Sequence, residues 1–236
     1  MANLRTMPRV TVAPKDLKPF GDKWLQNGRN LSRTPPFSSG NLGEMFDSRV
    51  AAALAEMLGG IPVVTPNSSR LSPAEADCVE LGALRVVGGV RPQNFDVGYR
   101  PDGVRIAFDS KTLNDTKSVG KNYQNMINDL ATEATTVHSR FPMALVAFMV
   151  VVPRPCLTTQ APAIVGTLER ITSRRAIDEP LHVAEAISFV VWDPATGEVV
   201  PDLPTAGSPL RLEQFSQQVE SAYLARYKGL PPHARG

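Results

Sequence analysis

Only two cysteines, Cys78 and Cys156, occur in the 236 residues. So few exclude a disulfide scaffold and a cysteine-rich zinc site, and both thiols are expected to be small buried groups. Histidine is equally scarce. His138, His182 and His233 lack metal-ligand spacing and read as surface or loop residues. Long apolar runs are missing as well: the longest, Met143 to Val152, spans ten residues, about half of what a membrane helix needs. Residues 1–30 contain no apolar segment of the kind a secretory signal requires. The expectation is a cytoplasmic protein with no membrane partner. No G-x-S-x-G elbow, Walker A loop or G-x-G-x-x-G turn is present, and no serine nominates itself for a Ser-His-Asp site.

What is present reads as globular. Hydrophobic residues make up 42% and charged residues 20%, enough apolar surface to build a core and too little charge for wholesale disorder. The length suits one α/β domain. Net charge is +2, but it is unevenly spread: residues 1–33 carry Arg5, Arg9, Lys15, Lys18, Lys23, Arg29 and Arg33 against Asp16 and Asp22, a surplus of five. Residues 1–40 read as a basic, irregular N-terminal arm that suits a polyanion partner and equally suits a solvated tail. Residues 41–230 read as a single domain and 231–236 as a loose tail.

Within that domain Asn41-Leu42-Gly43-Glu44 reads as a capping box, with Asn41 as cap and Glu44 answering from the third helical position. Leu42, Met45, Phe46, Val50, Ala53, Leu54 and Met57 supply the buried stripe of the helix, and Gly59-Gly60 ends it. A short strand is expected over 61–64, a loop over 65–78, and 79–90 is ambiguous. Phe95, Val97 and Tyr99 then alternate with polar or small residues, Arg100-Pro101-Asp102-Gly103 makes a turn, and Val104, Ile106 and Phe108 alternate again. A helix is expected over 119–138, a central buried strand over 143–152, a helix over 163–176, a strand over 184–192 and a last helix over 210–227.

The pattern acid-x-Lys occurs three times, at Asp16, Asp109 and Asp115, and only Asp109-Ser110-Lys111 ends an alternating strand. Side chains two apart on a strand share a face, so Asp109 and Lys111 lie opposite Val104, Ile106 and Phe108. Asp96 likewise lies opposite Phe95, Val97 and Tyr99. The turn sets Asp96 across from residues 107 and 108, or one step along, which gathers Asp96, Asp109 and Lys111. Mg²⁺ takes oxygen ligands, often one or two carboxylates with water and a substrate phosphate. Asp96 and Asp109 could supply those, with Lys111 orienting a water or stabilising the phosphate. The same spacing also describes a solvent-facing hairpin with a cross-strand ion pair worth under ~1 kcal/mol.

Asp96 followed by Asp109-Ser110-Lys111 resembles the signature of the PD-(D/E)XK nucleases, a superfamily that includes type II restriction endonucleases and junction resolvases. The order of expected elements over 41–152 is similar to that family's α-β-β-β-α-β core. The resemblance implies a restriction-endonuclease-like mixed sheet flanked by helices and Mg²⁺-dependent hydrolysis of double-stranded DNA. It most resembles a sequence-specific type II enzyme working as a homodimer; the alternatives are a repair or junction-resolving nuclease, or a non-catalytic DNA-binding protein on the same scaffold. It departs from the pattern in that Asp96 follows Phe95, not proline. The literal Pro101-Asp102 falls in the turn, too near Asp109. Glu44 matches a helix glutamate that sometimes completes the family's catalytic metal shell, although it is better explained as part of the cap. Lys117, Lys121 and Arg33 are the candidate DNA contacts.

Overall fold

The computed structural model describes residues 3–31, 35–67 and 69–233. Its centre is the apolar strand β5 (Leu145–Pro153), buried at every residue. A strand apolar on both sides must be covered on both faces, which a parallel neighbour with helical crossovers provides. Accordingly β5 lies between β4 (Ile106–Thr112) and β6 (Ala186–Trp192), parallel to both. On the other side β4 pairs antiparallel with β3 (Pro92–Tyr99), β3 pairs antiparallel with β2 (Val79–Val87), and the two-residue β1 (Val63–Val64) closes the edge. The result is a six-stranded mixed sheet in sequence order. The stretch 79–90, ambiguous in sequence, supplies β2.

Helices cover both faces. They are α1 (Pro14–Gln26), α2 (Ser39–Met57), α3 (Val119–His138), α4 (Ala161–Arg170) and α5 (Leu212–Tyr227), with one 3₁₀ turn at Arg154–Cys156. Phe108 meets Phe215 of α5 edge-on at 5.9 Å. Ser110 shares the parity of Phe108 and lies under α2, where a Cβ on Gly43 would come within 2.9 Å of its hydroxyl. So α2 and α5 occupy one face, and α2 approaches β4 closely because position 43 carries no side chain. Lys111, of opposite parity, reaches Glu133 of α3 at 2.9 Å, which places α3 on the other face.

Three expectations are corrected. The described part of 1–40 is not irregular throughout: Pro14 opens α1 at its first position, where proline is well suited, and Leu17, Phe20 and Trp24 bury one face. A Cβ on Gly21 would lie 2.0 Å from the carbonyl oxygen of Pro194, so α1 seats tightly on the turn after β6. Helix α2 begins earlier than Asn41; Ser38 is its cap and its hydroxyl accepts from the Asn41 amide. Residues 231–233 are not loose, since Pro231 accepts from buried Arg105 and His233 is buried against the Tyr223 hydroxyl at 2.6 Å. Among the described residues no helix is long and apolar enough to cross a membrane.

Candidate functional site

The register of β3 and β4 decides which residues meet. Val97 pairs with Phe108, so the next pair outward is Asp96 with Asp109. One face of the two central strands therefore carries both carboxylates and Lys111. Asp96 Oδ2 accepts the Ser110 backbone amide at 3.1 Å, and the Lys111 ammonium bonds Asp109 and, at 2.9 Å, Glu133. A solvent-facing ion pair does not describe this group. Asp109 is 6% exposed and Glu133 3%.

Two further acids belong to the cluster and were not anticipated. Asp47, on α2, is buried beside Asp96 and Ser110. Glu133, on α3, accepts both Lys111 and Gln93 through Oε1. Each sits within an otherwise apolar buried stripe, Phe46 and Val50 around Asp47, Leu130 and Ala134 around Glu133. An acid inside an apolar stripe was the available signal. Glu44 stands one turn before Asp47 on the exposed side and accepts from Asn41 at 2.9 Å. Asp102 pairs with Arg105 in the hairpin turn, away from the cluster. Lys117 and Lys121 are exposed at the start of α3, and Arg33 lies outside the described residues.

Four carboxylates against one ammonium is an unbalanced group. Burial and then the neighbouring Asp96 push the Asp47 carboxyl up to about 8. Burial, followed by the hydrogen bond and charge of Asp109, pushes Asp96 up to about 8 as well. Burial also raises Asp109, although its hydrogen bond with Asp96 and the Lys111 charge pull the other way. The pair thus shares a proton. Burial raises Glu133 too, with Lys111 opposing it. Burial works against the Lys111 ammonium, but Asp109 and Glu133 outweigh it and leave its pKa raised. Asp47 Oδ1 and Glu133 Oε2 are buried with no hydrogen-bond partner among the described residues, a costly condition for a carboxylate oxygen.

Chemically, the cluster is short of positive charge. Among the described residues no three Asp, Glu, His or Cys side chains form a ready-made metal cage. A dedicated cage is what Ca²⁺ or structural Zn²⁺ asks for; Mg²⁺ needs one or two carboxylates and completes its shell with water and substrate. The adjacent Asp96 and Asp109, both strained toward protonation, and the orphaned Asp47 oxygen fit that lesser demand.

A second buried charged group lies at the other side of the sheet. Glu185, just before β6, accepts Arg174 at 2.9 Å, Arg226 at 2.8 Å, His138 at 3.1 Å and the Val146 amide at 2.7 Å. His138 and His233 are therefore interior residues, against the expectation of surface or loop positions, while His182 is exposed. Both cysteines are free and buried as expected, and burial pushes the Cys156 thiol up to about 12. Compared with known proteins, the chain matches no family model, no curated protein and no solved structure.

Proposed function

We propose that the protein is a Mg²⁺-dependent endonuclease of the PD-(D/E)XK kind, hydrolysing phosphodiester bonds of double-stranded DNA as a sequence-specific, homodimeric restriction enzyme. The observation that carries the reading is the meeting of Asp96, Asp109 and Lys111 on one face of β3 and β4, with Asp109 buried, Asp96 and Lys111 half-buried, and the group short of positive charge. After the two-residue edge strand β1 that follows α2, the succession β2-β3-β4-α3-β5, with two antiparallel pairings followed by a parallel one, supports the same reading.

In this reading Asp96 and Asp109 hold the metal. When bound, the metal polarises the scissile phosphate and lowers the pKa of a water. The chain's own residues do the rest. Lys111, held between Asp109 and Glu133, would present its ammonium to the attacking water or to a phosphate oxygen. Glu133 fixes where the ammonium sits, through the 2.9 Å contact, and Gln93 fixes Glu133. Asp47 adds a carboxylate close to Asp96 that favours a cation there. Lys117 and Lys121, exposed at the start of α3, contact DNA phosphates.

The test is a split between cutting and binding. Asp109→Ala is expected to abolish Mg²⁺-dependent nicking of plasmid DNA while DNA binding in Ca²⁺ persists. Discrete bands from phage DNA support a restriction enzyme, and junction-selective cutting would replace that assignment with a resolvase. Binding with no cutting by the wild-type protein in Mg²⁺ or Mn²⁺ would leave a DNA-binding module.

A further inference from the structure

The group around Glu185 has the opposite imbalance from the acidic cluster. One carboxylate is bonded by two guanidiniums and an imidazole, and donors remain over: Arg174 Nε, Arg226 Nε and Arg226 Nη2 are buried without a partner among the described residues. Arg174 is 1% exposed and Arg226 8%. Buried donors in excess of acceptors are rare and call for an explanation.

Beside this group opens a cleft of about 620 Å³ between α5 and the segment that follows α4. That is within the size of small-molecule sites, about 300–1,000 Å³. Arg174 lines it, and so does Arg175, which is exposed and makes no salt bridge among the described residues. Among the described residues the only acid in its wall is Glu185, already bonded by Arg174 and Arg226. Glu179, in the same loop as Arg175, turns its carboxylate to the backbone amides of Arg175 and Ala176 and is not in the wall. Opposite, α5 presents Gln214, Gln217, Gln218 and Ser221 at helical spacing. An exposed helical face made of amides and a hydroxyl, with no charge, is unlike a solvating face, where charged residues prevail. Gln218, half-buried, donates to the Pro209 carbonyl, and its Oε1 is buried without a partner among the described residues, so Gln214 and Gln217 are the glutamines that expose their amides.

One end of the cleft is therefore cationic and the other offers neutral donors and acceptors. We infer that it binds a nucleoside phosphate, with the phosphate at Arg174 and Arg175 and the base edge against the α5 glutamines. Guanidinium forks match phosphate oxygens, and glutamine can pair with the edge of adenine through both amide atoms. The ligand is either a free nucleotide or the terminal unit of a nucleic acid strand. The site is independent of the acidic cluster and does not rest on the nuclease reading.

Calorimetric titration of the full chain with AMP, inorganic phosphate, adenosine and a short 5′-phosphorylated oligonucleotide tests the inference. AMP is expected to bind more tightly than either phosphate or adenosine alone. Arg175→Glu, an exposed position, should weaken AMP at least about tenfold, the loss of one charged hydrogen-bonding partner, with the melting temperature unchanged. Gln217→Ala with Gln218→Ala should weaken AMP and leave phosphate binding as it was. An oligonucleotide that binds more tightly than AMP and competes with it identifies a strand end as the natural ligand; weaker binding identifies the free nucleotide. Absence of AMP binding at about 1 mM, or binding that neither variant disturbs, overturns the inference.

Discussion

The two buried charged groups of this protein are mirror images in charge. Around Asp109, four carboxylates gather near one lysine, which bonds two of them, Asp109 and Glu133, and burial pushes all four carboxyls upward. Around Glu185, one carboxylate gathers two arginines, a histidine and a backbone amide. There burial alone would raise the carboxyl, yet His138, Arg226 and the Val146 amide together bring its pKa below the usual range. The same apolar sheet thus supports a site that lacks a cation and a site that has cationic donors to spare. Burial is common to both, so the difference lies in the balance of partners. Both networks are unbalanced, in opposite senses, so removing the minority charge costs stability, removing a majority charge relieves it, and a ligand of the missing sign can release the stored free energy.

The largest expected effect follows at Glu185. Replacing it with alanine strands two buried guanidiniums and should cost about 3–5 kcal/mol, read as a melting temperature about 10 °C lower. The matching substitution in the acidic cluster should do the reverse. Asp47→Asn keeps the shape and removes one crowded charge, so the metal-free protein at pH 8 should gain on the order of 1 kcal/mol. If both variants lose stability alike, the contrast between the two groups is wrong.

Titration sharpens the same contrast. An aspartate in the unfolded chain titrates near about 3.9, whereas Asp47 and Asp96 titrate at about 8 in the fold. The folded state keeps protons that the unfolded chain has released, so these two groups lose stability for the protein as pH rises from about 4 to about 8, and lose no more above that. Melting temperature without metal should decline toward pH 8 across that window, and Asp47→Asn should flatten the decline. Mg²⁺ should raise the melting temperature more at pH 8 than at pH 6, because at pH 6 it competes with the bound protons. The smallest effect is at the surface: Lys117→Ala should weaken DNA binding evenly across sequences and reduce the salt slope by about 1, with stability unchanged.

Much of the fold was legible because periodicity writes it directly. Val119–His138 is helical over the expected span, and the apolar run near Met143–Val152 became the central strand β5. Strand parity put Asp96, Asp109 and Lys111 on one face, but turn length left open whether Asp96 stands across from 107 and 108 or one step along, and the register Val97 with Phe108 places it next to Asp109. Helix α1 was missed because Pro14, Pro19 and its lysines read as loop, although Leu17, Phe20 and Trp24 already showed helical spacing. Asp47 and Glu133 were missed for a different reason. Sequence patterns reward acids that flank a strand motif, whereas these come from helices packed over it, and only tertiary structure brings them within reach. His138 and His233 gave no local sign of burial, since their partners Glu185 and Tyr223 are set by the packing of α3 and α5.

The central claim is that the acidic cluster holds a metal and cuts DNA. Its most direct test is conversion of supercoiled plasmid by the wild-type protein in Mg²⁺, in EDTA, and by Asp96→Asn in Mg²⁺. The account predicts nicked and linear products in the first case only, with Asp96→Asn slower by at least about a hundredfold and still folded. Cleavage that persists in EDTA, or that Asp96→Asn leaves at the wild-type rate, would contradict it.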